Sequence, residues 1–391
     1  MYIHEFQAKD LLAARGIPLP NGRTAGTVDE AAQAAAALGG TAWAIKAQVH
    51  AGARGRAGGV RLAASPSEVT KAATDLLGAR LVTDQTGAAG ATVKQVYVEE
   101  ACDIDRELYL MLFVDRSVGR VAVMASAHGG GGIEQLAAAS PDRLLTLHID
   151  PVQGPDRGEL LAFARRLELS EGQRDAAANI IEALYRAFVE LDANLIEINP
   201  LAVTPAGDLI ALDVKMGFDD NALFRHPDIE ALRDQEEADP QELAARRSEL
   251  NFVKLEGEIG CMVTGAGLAL ATHDILKQLG GEPADFMDIR PVATRAQIAF
   301  GFKLLLANPK VKAILVNIYG GGIMRCDTIA EAIASAVKEG GLGVPLVVRA
   351  AGTNKEICKK VLTGQGIDCA FVDDIAAAAK AAIAAARREA A

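Results

Sequence analysis

IGCMVTGAGLALATHDIL, residues 259–276, decides the architecture of the second half of this chain. The run 259–264 is short and largely apolar, 265–267 is a glycine-containing turn, and from Leu268 onward apolar side chains recur at helical spacing. Strand, turn and helix in that order make one βα unit. The pattern then repeats, with strands predicted over 285–289, 313–318, 346–349 and 370–372 and helices over 268–279, 295–307, 327–338, 355–362 and 375–388. Such a series predicts a parallel sheet covered on both faces, flavodoxin-like in broad architecture. Ligands of such sheets bind at the carboxyl ends of the strands, and here those ends carry glycine turns at 265–267, at Gly320, Gly321 and Gly322, and at Gly352. The last, Ala-rich helix reads as a packing element.

Upstream of this run the character changes. Between residues 226 and 251 the chain carries Pro227, Pro240 and a dense set of acids and arginines, which reads as a surface excursion or domain connector. The expected domains are therefore 1–238 and 239–391. The first half does not read as simple βα alternation. A helix is predicted over 5–15, with Ala8, Leu11, Leu12 and Arg15 at helical spacing and Gly16 as its stop, and a second over 28–38. Strands are expected over 41–49, 95–99, 107–115 and 120–126, then a helix over 174–191 and two strands, 195–198 and 208–214, joined by a Pro-containing turn.

Bulk properties exclude several function classes. The chain has 391 residues and a formal net charge of -11, which argues against a general nucleic-acid or membrane-surface binder. Its apolar stretches fall far short of the roughly 20 residues a membrane helix requires. The beginning, with His4, Glu5 and Lys9, lacks the pattern of a signal peptide, so the expected compartment is the cytoplasm. Cys102, Cys261, Cys326, Cys358 and Cys369 are scattered without a CxxC pair, as befits reduced thiols rather than a disulfide or zinc framework.

The candidate chemistry lies mostly in the first half. Lys46 sits in an apolar strand, where an ammonium needs an anionic partner or a route to solvent. HAGARGRAGG (50–59) follows, whose glycines allow close approach to phosphate while Arg54 and Arg56 supply charge-assisted donors; a flexible basic turn is the alternative, and neither Walker A nor GxGxxG is present. Glu99 and Glu107 flank a connector containing Cys102. A carboxylate there suits ribose hydroxyls, although ordinary surface acids would look the same. In LIEINPL (195–201), Glu197 and Asn199 share one strand face, and Asp213 ends the next strand. These hard oxygens suit Mg²⁺ carrying nucleotide phosphates, or else form the polar face of a hairpin. Glycines 129–132 after His128 read as a plain turn or a flap over a cleft; His273 reads as packing, and GxSxG is absent.

Taken together, HEFQAKDLLAARGIPLP (4–20), WAIKAQVHAGARGRAGGV (43–60), RELYL (106–110), LIEINPL, ALDVKMGFDDNALFR (211–225) and IGCMVTGAGLA (259–269) closely resemble the succinyl-CoA synthetase (succinate–CoA ligase) beta subunit family, including the malate–CoA ligase beta subunit, over nearly the whole chain. The resemblance implies a multidomain α/β and α+β protein, an N-terminal ATP-grasp fold followed by a flavodoxin-like CoA-ligase domain. It further implies a cytoplasmic, hetero-oligomeric ligase of the tricarboxylic acid cycle. ATP and Mg²⁺ would be used, with CoA bound mainly by an alpha subunit that also carries the histidine to be phosphorylated. By resemblance Lys46, Ala53, Arg54, Gly55, Glu99, Cys102 and Glu107 bind nucleotide, Asn199 and Asp213 hold the metal, and Glu197 orients the partner's histidine. Thr264, Arg290, Gly320, Gly321, Gly322, Ile323 and Met324 fall in the acid and phosphohistidine site, where the Gly320–Gly322 turn offers N–H groups and a helix dipole to phosphate.

That second site departs from the family. Thr264 stands where Asn is usual, Arg290, Pro291 and Val292 replace three glycines, and the Gly320–Gly322 turn has one glycine more. Either Arg290 recognises an extra carboxylate, a hydroxyl-bearing acid or a sulfur oxyanion, or the substrate is unchanged. Succinate is the first expectation, malate or another anionic acid the second, and a non-catalytic nucleotide-binding subunit the third. Pro20 is similar to ATP-using members, and FDDNALFR (218–225) leans toward the malate-type relative.

Overall fold

A computed structural model describes residues 1–83, 85–88, 90–133, 138–234, 239–320 and 324–388. The chain divides into two compact units, Met1–Asp234 and Gln235–Ala391.

The first unit opens with helix α1 (Glu5–Ala13), shorter than predicted because the turn before Gly16 (φ 76°) already leaves helical geometry. A four-stranded antiparallel sheet follows, made of β1 (Gly22–Ala25), β2 (Trp43–Ala47), β3 (Val60–Ala63) and β6 (Val96–Glu100) in the order β1-β6-β2-β3. Helices α2 (Val28–Leu38) and α3 (Pro66–Leu76) pack on one face of it. Both begin on side-chain caps, with Thr27 and Ser65 accepting from the Glu30 and Glu68 N–H groups, and Pro66 occupies a first-turn position where no N–H is needed. The short ribbon of β4 (Arg80–Leu81) and β5 (Ala91–Thr92) lies between α3 and β6 in the chain.

A larger antiparallel sheet contains β7 (Arg106–Asp115), β8 (Arg120–Ser126), β9 (Leu145–Ile149), β10 (Ala193–Val203) and β11 (Leu209–Ala211) in the order β11-β10-β7-β8-β9, with β12 (Val214–Phe218) also paired to β10. Helices α4 (Arg157–Arg165) and α5 (Glu171–Glu190) bury Leu160, Phe163, Ile181 and Leu184 in its core. The two predicted hairpin strands are three. Pro200 has no N–H to donate, the register of β10 shifts between Ile198 and Leu201, and β10 continues to Val203. Asp213 consequently sits in the break between β11 and β12 rather than at the end of one strand.

The second unit has helix α6 (Pro240–Arg247), where only connector was read, and strand β13 (Asn251–Lys254), which was not predicted. The predicted units then follow as β14 (Ile259–Thr264), α7 (Ala266–Gln278), β15 (Asp285–Ile289), α8 (Arg295–Leu306), β16 (Ala313–Gly320), α9 (Cys326–Gly340), β17 (Leu346–Gly352), α10 (Lys355–Gly364), β18 (Cys369–Phe371) and α11 (Ile375–Arg388). The sheet order is β13-β15-β14-β16-β17-β18, parallel except for the antiparallel edge strand β13. Two apolar clusters, one around Phe302 and Ile329 and the other around Leu276 and Ala382, cover its two faces. Each fully buried Leu, Ile or Phe contributes about 1.5–3 kcal/mol, which is what holds the α/β layers together.

Candidate functional site

Strand alternation builds the site. In β2, Trp43, Ile45 and Ala47 enter the core under α2 and α3, so Ala44 and Lys46 face the other way; in β6, Val96 and Val98 enter that core, so Tyr97 and Glu99 face with Lys46. The partner that Lys46 needs is therefore supplied across the sheet. Its Nζ lies 2.5 Å from Glu99 Oε1, 3.0 Å from Glu5 Oε1 and 2.5 Å from the Leu212 carbonyl.

Glu5 and Lys9, which sequence reasoning missed, complete a buried ion lattice. Lys9 bridges Glu5 (2.9 Å), Glu99 and the Leu212 carbonyl (2.7 Å). The Arg54 guanidinium donates to Glu5 (2.7 Å), Asp213 (2.6 Å) and the Ala47 carbonyl (2.8 Å). The cations Lys9, Lys46 and Arg54 thus face the carboxylates Glu5, Glu99 and Asp213. Burial alone would raise the Glu5 carboxyl, but Lys46, Lys9 and Arg54 together hold it well below the usual range. Burial likewise opposes the charge on Lys46 and Arg54, and the facing carboxylates reverse this, so both stay protonated. Asp213 is the exposed member, with its side chain 37% accessible against 2–8% for the other five. The signal for Glu5 and Lys9 was present in the sequence, since they share the buried helix face of Ala8 and Leu12.

The glycine-rich turn is not simply a flexible basic loop. Gly59 N–H donates to the Arg54 carbonyl and Ala47 N–H to that of Gly59, closing the turn on β2. Ala53 lies in it at φ 58°, a conformation that favours glycine. Arg54 is engaged in the lattice, whereas Arg56 is exposed.

In the glycine stretch 129–132, Gly129 and Gly130 are tied to the neighbouring strands by hydrogen bonds, and residues 131 and 132 form a turn. Gly129 N–H donates to the Glu107 carbonyl (2.7 Å), and a Cβ on Gly129 would stand 2.3 Å from the Leu108 oxygen. Gly130 N–H donates to Asn199 Oδ1 (2.6 Å), and the Asn199 amide donates back to the Gly130 carbonyl (3.3 Å). Asn199 N–H in turn donates to the Asp213 carbonyl (3.0 Å), so the two expected metal residues are backbone neighbours although one lies in β10 and the other in the break after β11.

Two cavities meet at this point. One, of about 470 Å³, is lined by Lys46, Gly55, Arg56, Glu99, Cys102 and Glu107, with Leu62 and Ile104 as apolar walls. The other, of about 400 Å³, is lined by Tyr2, Glu5, His50, Gln85, Glu197 and Lys215. Ala53, Arg54, Asn199 and Asp213 line both. Both volumes suit small-molecule ligands. The first cavity collects every nucleotide-site residue expected from the sequence, while Glu197 lies in the second. Leu62 and Ile104 are large apolar side chains left 77% and 43% exposed, as a slot for a planar base would need. Burial, helped by Asp103 and Glu99, raises the Cys102 thiol, which therefore stays protonated.

The walls also hold Glu100, Glu107 and Glu197, so a polyphosphate entering here meets more acid than base. A divalent cation would resolve that repulsion, and the donor set fits Mg²⁺, with an amide and a carboxylate oxygen from two residues joined by a backbone hydrogen bond and Asp213 open to the cavity.

Comparison with known proteins shows the family. An ATP-grasp domain model matches residues 2–203 and a CoA-ligase model residues 262–387. The succinate–CoA ligase [ADP-forming] subunit beta of Paramagnetospirillum magneticum is 50% identical, with 97% of this chain and 98% of that protein covered. Its counterpart in Acidiphilium cryptum is 49% identical with both chains fully covered, and that of Paracoccus denitrificans is 50% identical over 97% and 98%. This chain belongs to the family of ADP-forming succinate–CoA ligase beta subunits. In fold it also matches an ATP citrate lyase from Methanothrix soehngenii in complex with citrate and coenzyme A, with a TM-score of 0.73 and 19% identity over 95% of this chain and 96% of that one.

Against this beta-subunit background, the departures in the second unit can be placed. The Thr264 hydroxyl oxygen at the end of β14 accepts the Tyr319 N–H (2.9 Å), which ties it to the neighbouring strand end. At that end, a Cβ on Gly352 would meet the Gly320 oxygen at 2.0 Å, so the strand ends converge on glycines. Met324, two residues before α9, is buried in the cluster around Phe302 and Ile329. The Arg290 guanidinium donates to the Glu249 carbonyl (2.5 Å) and approaches its carboxylate (3.3 Å). Gly321, Gly322 and Ile323 lie outside the described residues. No described helix is long and apolar enough to cross a membrane.

Proposed function

We propose that this chain is the nucleotide-binding, phosphoryl-donating subunit of an acid–CoA ligase, working with an alpha subunit on succinate. The observation that carries the reading is the wall common to the two cavities. A triphosphate seated in the Lys46–Glu107 cavity has its terminal phosphate beside Ala53, Arg54, Asn199 and Asp213, and the same residues border the Glu197 cavity, which an acceptor enters from the other side. Phosphoryl transfer asks chiefly for alignment and charge neutralisation, and the lattice holds Lys46 and Arg54 rigid and protonated for both. Mg²⁺ held by Asn199 and Asp213 would neutralise phosphate charge.

The acceptor is a histidine of the alpha subunit. The bond between the γ-phosphorus and its bridging oxygen breaks with its electron pair left on ADP, and a nitrogen–phosphorus bond forms. Glu197 accepts a hydrogen bond from the other imidazole nitrogen and steadies the cation that develops. In the second unit the phosphoryl passes to the acid, and the CoA thiolate displaces phosphate from the acyl phosphate. The convergent ends of β14, β16 and β17, with Thr264, Gly320 and Met324, suit that step. Because the Arg290 guanidinium is engaged by Glu249, an unaltered succinate specificity is favoured over recognition of an extra anionic group.

The test is Asp213→Ala in the complete two-subunit enzyme. ATP affinity in magnesium should fall by about a hundred-fold, and label from γ-labelled ATP should no longer reach the alpha subunit, while the protein still folds, because Arg54 keeps Glu5 and the Ala47 carbonyl as partners. Unchanged Mg-ATP affinity would refute the assignment.

A further inference from the structure

The acceptor-side cavity contains an ordered group that the reaction as described leaves unused. His50 opens the glycine-rich turn and stacks on His4, with ring centroids 4.2 Å apart and planes inclined at 25°. His4 Nε2 is 2.9 Å from Asp234 Oδ2, and His50 Nε2 is 3.8 Å from the same oxygen. The three side chains are 12%, 21% and 20% exposed for His4, His50 and Asp234, so the array is partly sheltered but open to the cavity at His50. His4 is also the cap residue of α1, its N–H donating to Gln7 Oε1, and the next residue is the Glu5 that holds Lys46. The array is thus fastened to the same helix end as the ion lattice.

Two histidines and a carboxylate this close resemble a metal centre, but the ring geometry opposes one. An imidazole binds a metal in its own plane, along the nitrogen lone pair. The two rings lie face to face, with planes only 25° apart, rather than edge-on around a common point, so the stack is a poor mount for one shared ion. What the geometry favours is a carboxylate that fixes one imidazole directly and, through the stack, orients the other.

We propose that His50 is a positioning residue for the phosphoryl acceptor, a cavity-facing imidazole set by Asp234 and His4 to hold the incoming histidine ring of the alpha subunit in line with the terminal phosphate. This rests on the acceptor reading of the second cavity given above. His50 exchanges no proton in the reaction. Its surroundings are the charged groups Glu5, Arg54, Glu197, Asp213, Lys215 and Asp234, together with His4. Burial, His4, Lys215 and Arg54 push its pKa down to about 4, against the opposing pull of Asp234. A neutral ring at physiological pH orients a second imidazole without repelling the positive charge that develops on it during transfer.

The experiment is single-turnover transfer of label from γ-labelled ATP to the alpha subunit in the complete enzyme, with Mg-ATP affinity measured in parallel. His50→Ala should slow transfer by about ten- to a hundred-fold, the range expected for a misplaced acceptor, while Mg-ATP affinity stays within about two-fold. His50→Asn, which retains a side-chain hydrogen-bonding group, should recover part of the rate and serves as the second variant if the alanine protein does not fold. CoA-dependent release of phosphate from pre-phosphorylated enzyme and succinate should be unaffected in both. Transfer within about two-fold of wild type, or a loss matched by an equal loss of nucleotide affinity, overturns the proposal. A wild-type complex that transfers no label overturns the underlying functional reading as well, which separates the two failures.

Discussion

Removing the Glu5 carboxylate gives the sharpest test of the ion lattice. Glu5 receives Lys9 at 2.9 Å, Lys46 at 3.0 Å and Arg54 at 2.7 Å, and its side chain is only 2% exposed. In Glu5→Gln the shape is kept, but Glu99 and Asp213 are left to balance Lys9, Lys46 and Arg54, so one cation is buried without a full partner. Breaking a buried pair from one side costs about 3–5 kcal/mol. For a unit the size of Met1–Asp234, where 1 kcal/mol moves the midpoint by about 2–4 °C, thermal unfolding should shift down by roughly 6–20 °C. The double variant Glu5→Gln/Lys9→Met restores the charge balance and should regain most of that shift.

The pH dependence follows with a definite sign. The folded-state pKa of Glu5 lies below its ordinary 4.5, so its contribution is fully present above about 4.5 and is lost as pH falls through the folded value. The gap between wild type and Glu5→Gln should therefore be constant near neutrality and close only in acid. A single variant within about 2 °C of wild type at pH 7, or a double variant less stable than the single, would refute the charge-balance argument.

Further outcomes follow from other features of the structure. Ala53→Val places a β-branched side chain at φ 58° and should cost about 1–2 kcal/mol together with a loss of nucleotide affinity, read by denaturant unfolding and ATP titration. His50 is held to a pKa of about 4 against an ordinary 6.5, so the unfolded chain takes up its proton first and wild-type stability should fall as pH drops from 6.5 toward 4. His50→Gln should lose about 1–3 kcal/mol less over that interval, measured by denaturant unfolding at each pH. Arg290→Gly should leave phosphorylation of the alpha subunit and the ratio of kcat/KM for succinate over malate within about three-fold, because its exposed pair with Glu249 is weak and already occupies the guanidinium. A large change in that ratio alone would return Arg290 to acid recognition.

The parts of this fold written in local periodicity were legible. Helices over 28–38 and 375–388 and strands over 120–126, 259–264 and 285–289 follow from helical spacing or short apolar runs and reappear with the same limits. Glu5 and Lys9 were not legible by the same rule, because counting apolar positions skips charged residues that occupy the buried face and whose partners are remote. The double hydrogen bond between Gly130 and Asn199 has no local signature either, and without it residues 129–132 read first as a plain turn and second as a flap. The break at Pro200 had a visible cause, the missing N–H, yet its consequence, Asp213 in a gap between strands, depends on pairing with β11 and β12.

The lattice itself cannot be understood as a device for stability. Burying Lys9, Lys46, Arg54, Glu5 and Glu99 costs desolvation that their mutual attraction at best offsets, and an apolar cluster of the same volume would hold α1 to the sheets equally well. The array fixes instead the position and charge of Lys46 and Arg54 on the walls of the two cavities, at the cost of a carboxylate for each cation. The charge-balanced double variant separates the two accounts. Its stability should return because the buried charges again match, but Lys46 then loses the Glu5 carboxylate that orients it, so Mg-ATP binding and phosphoryl transfer should remain impaired. A double variant that recovered both would make the lattice a structural filler, and the alignment argument for phosphoryl transfer would lose its support.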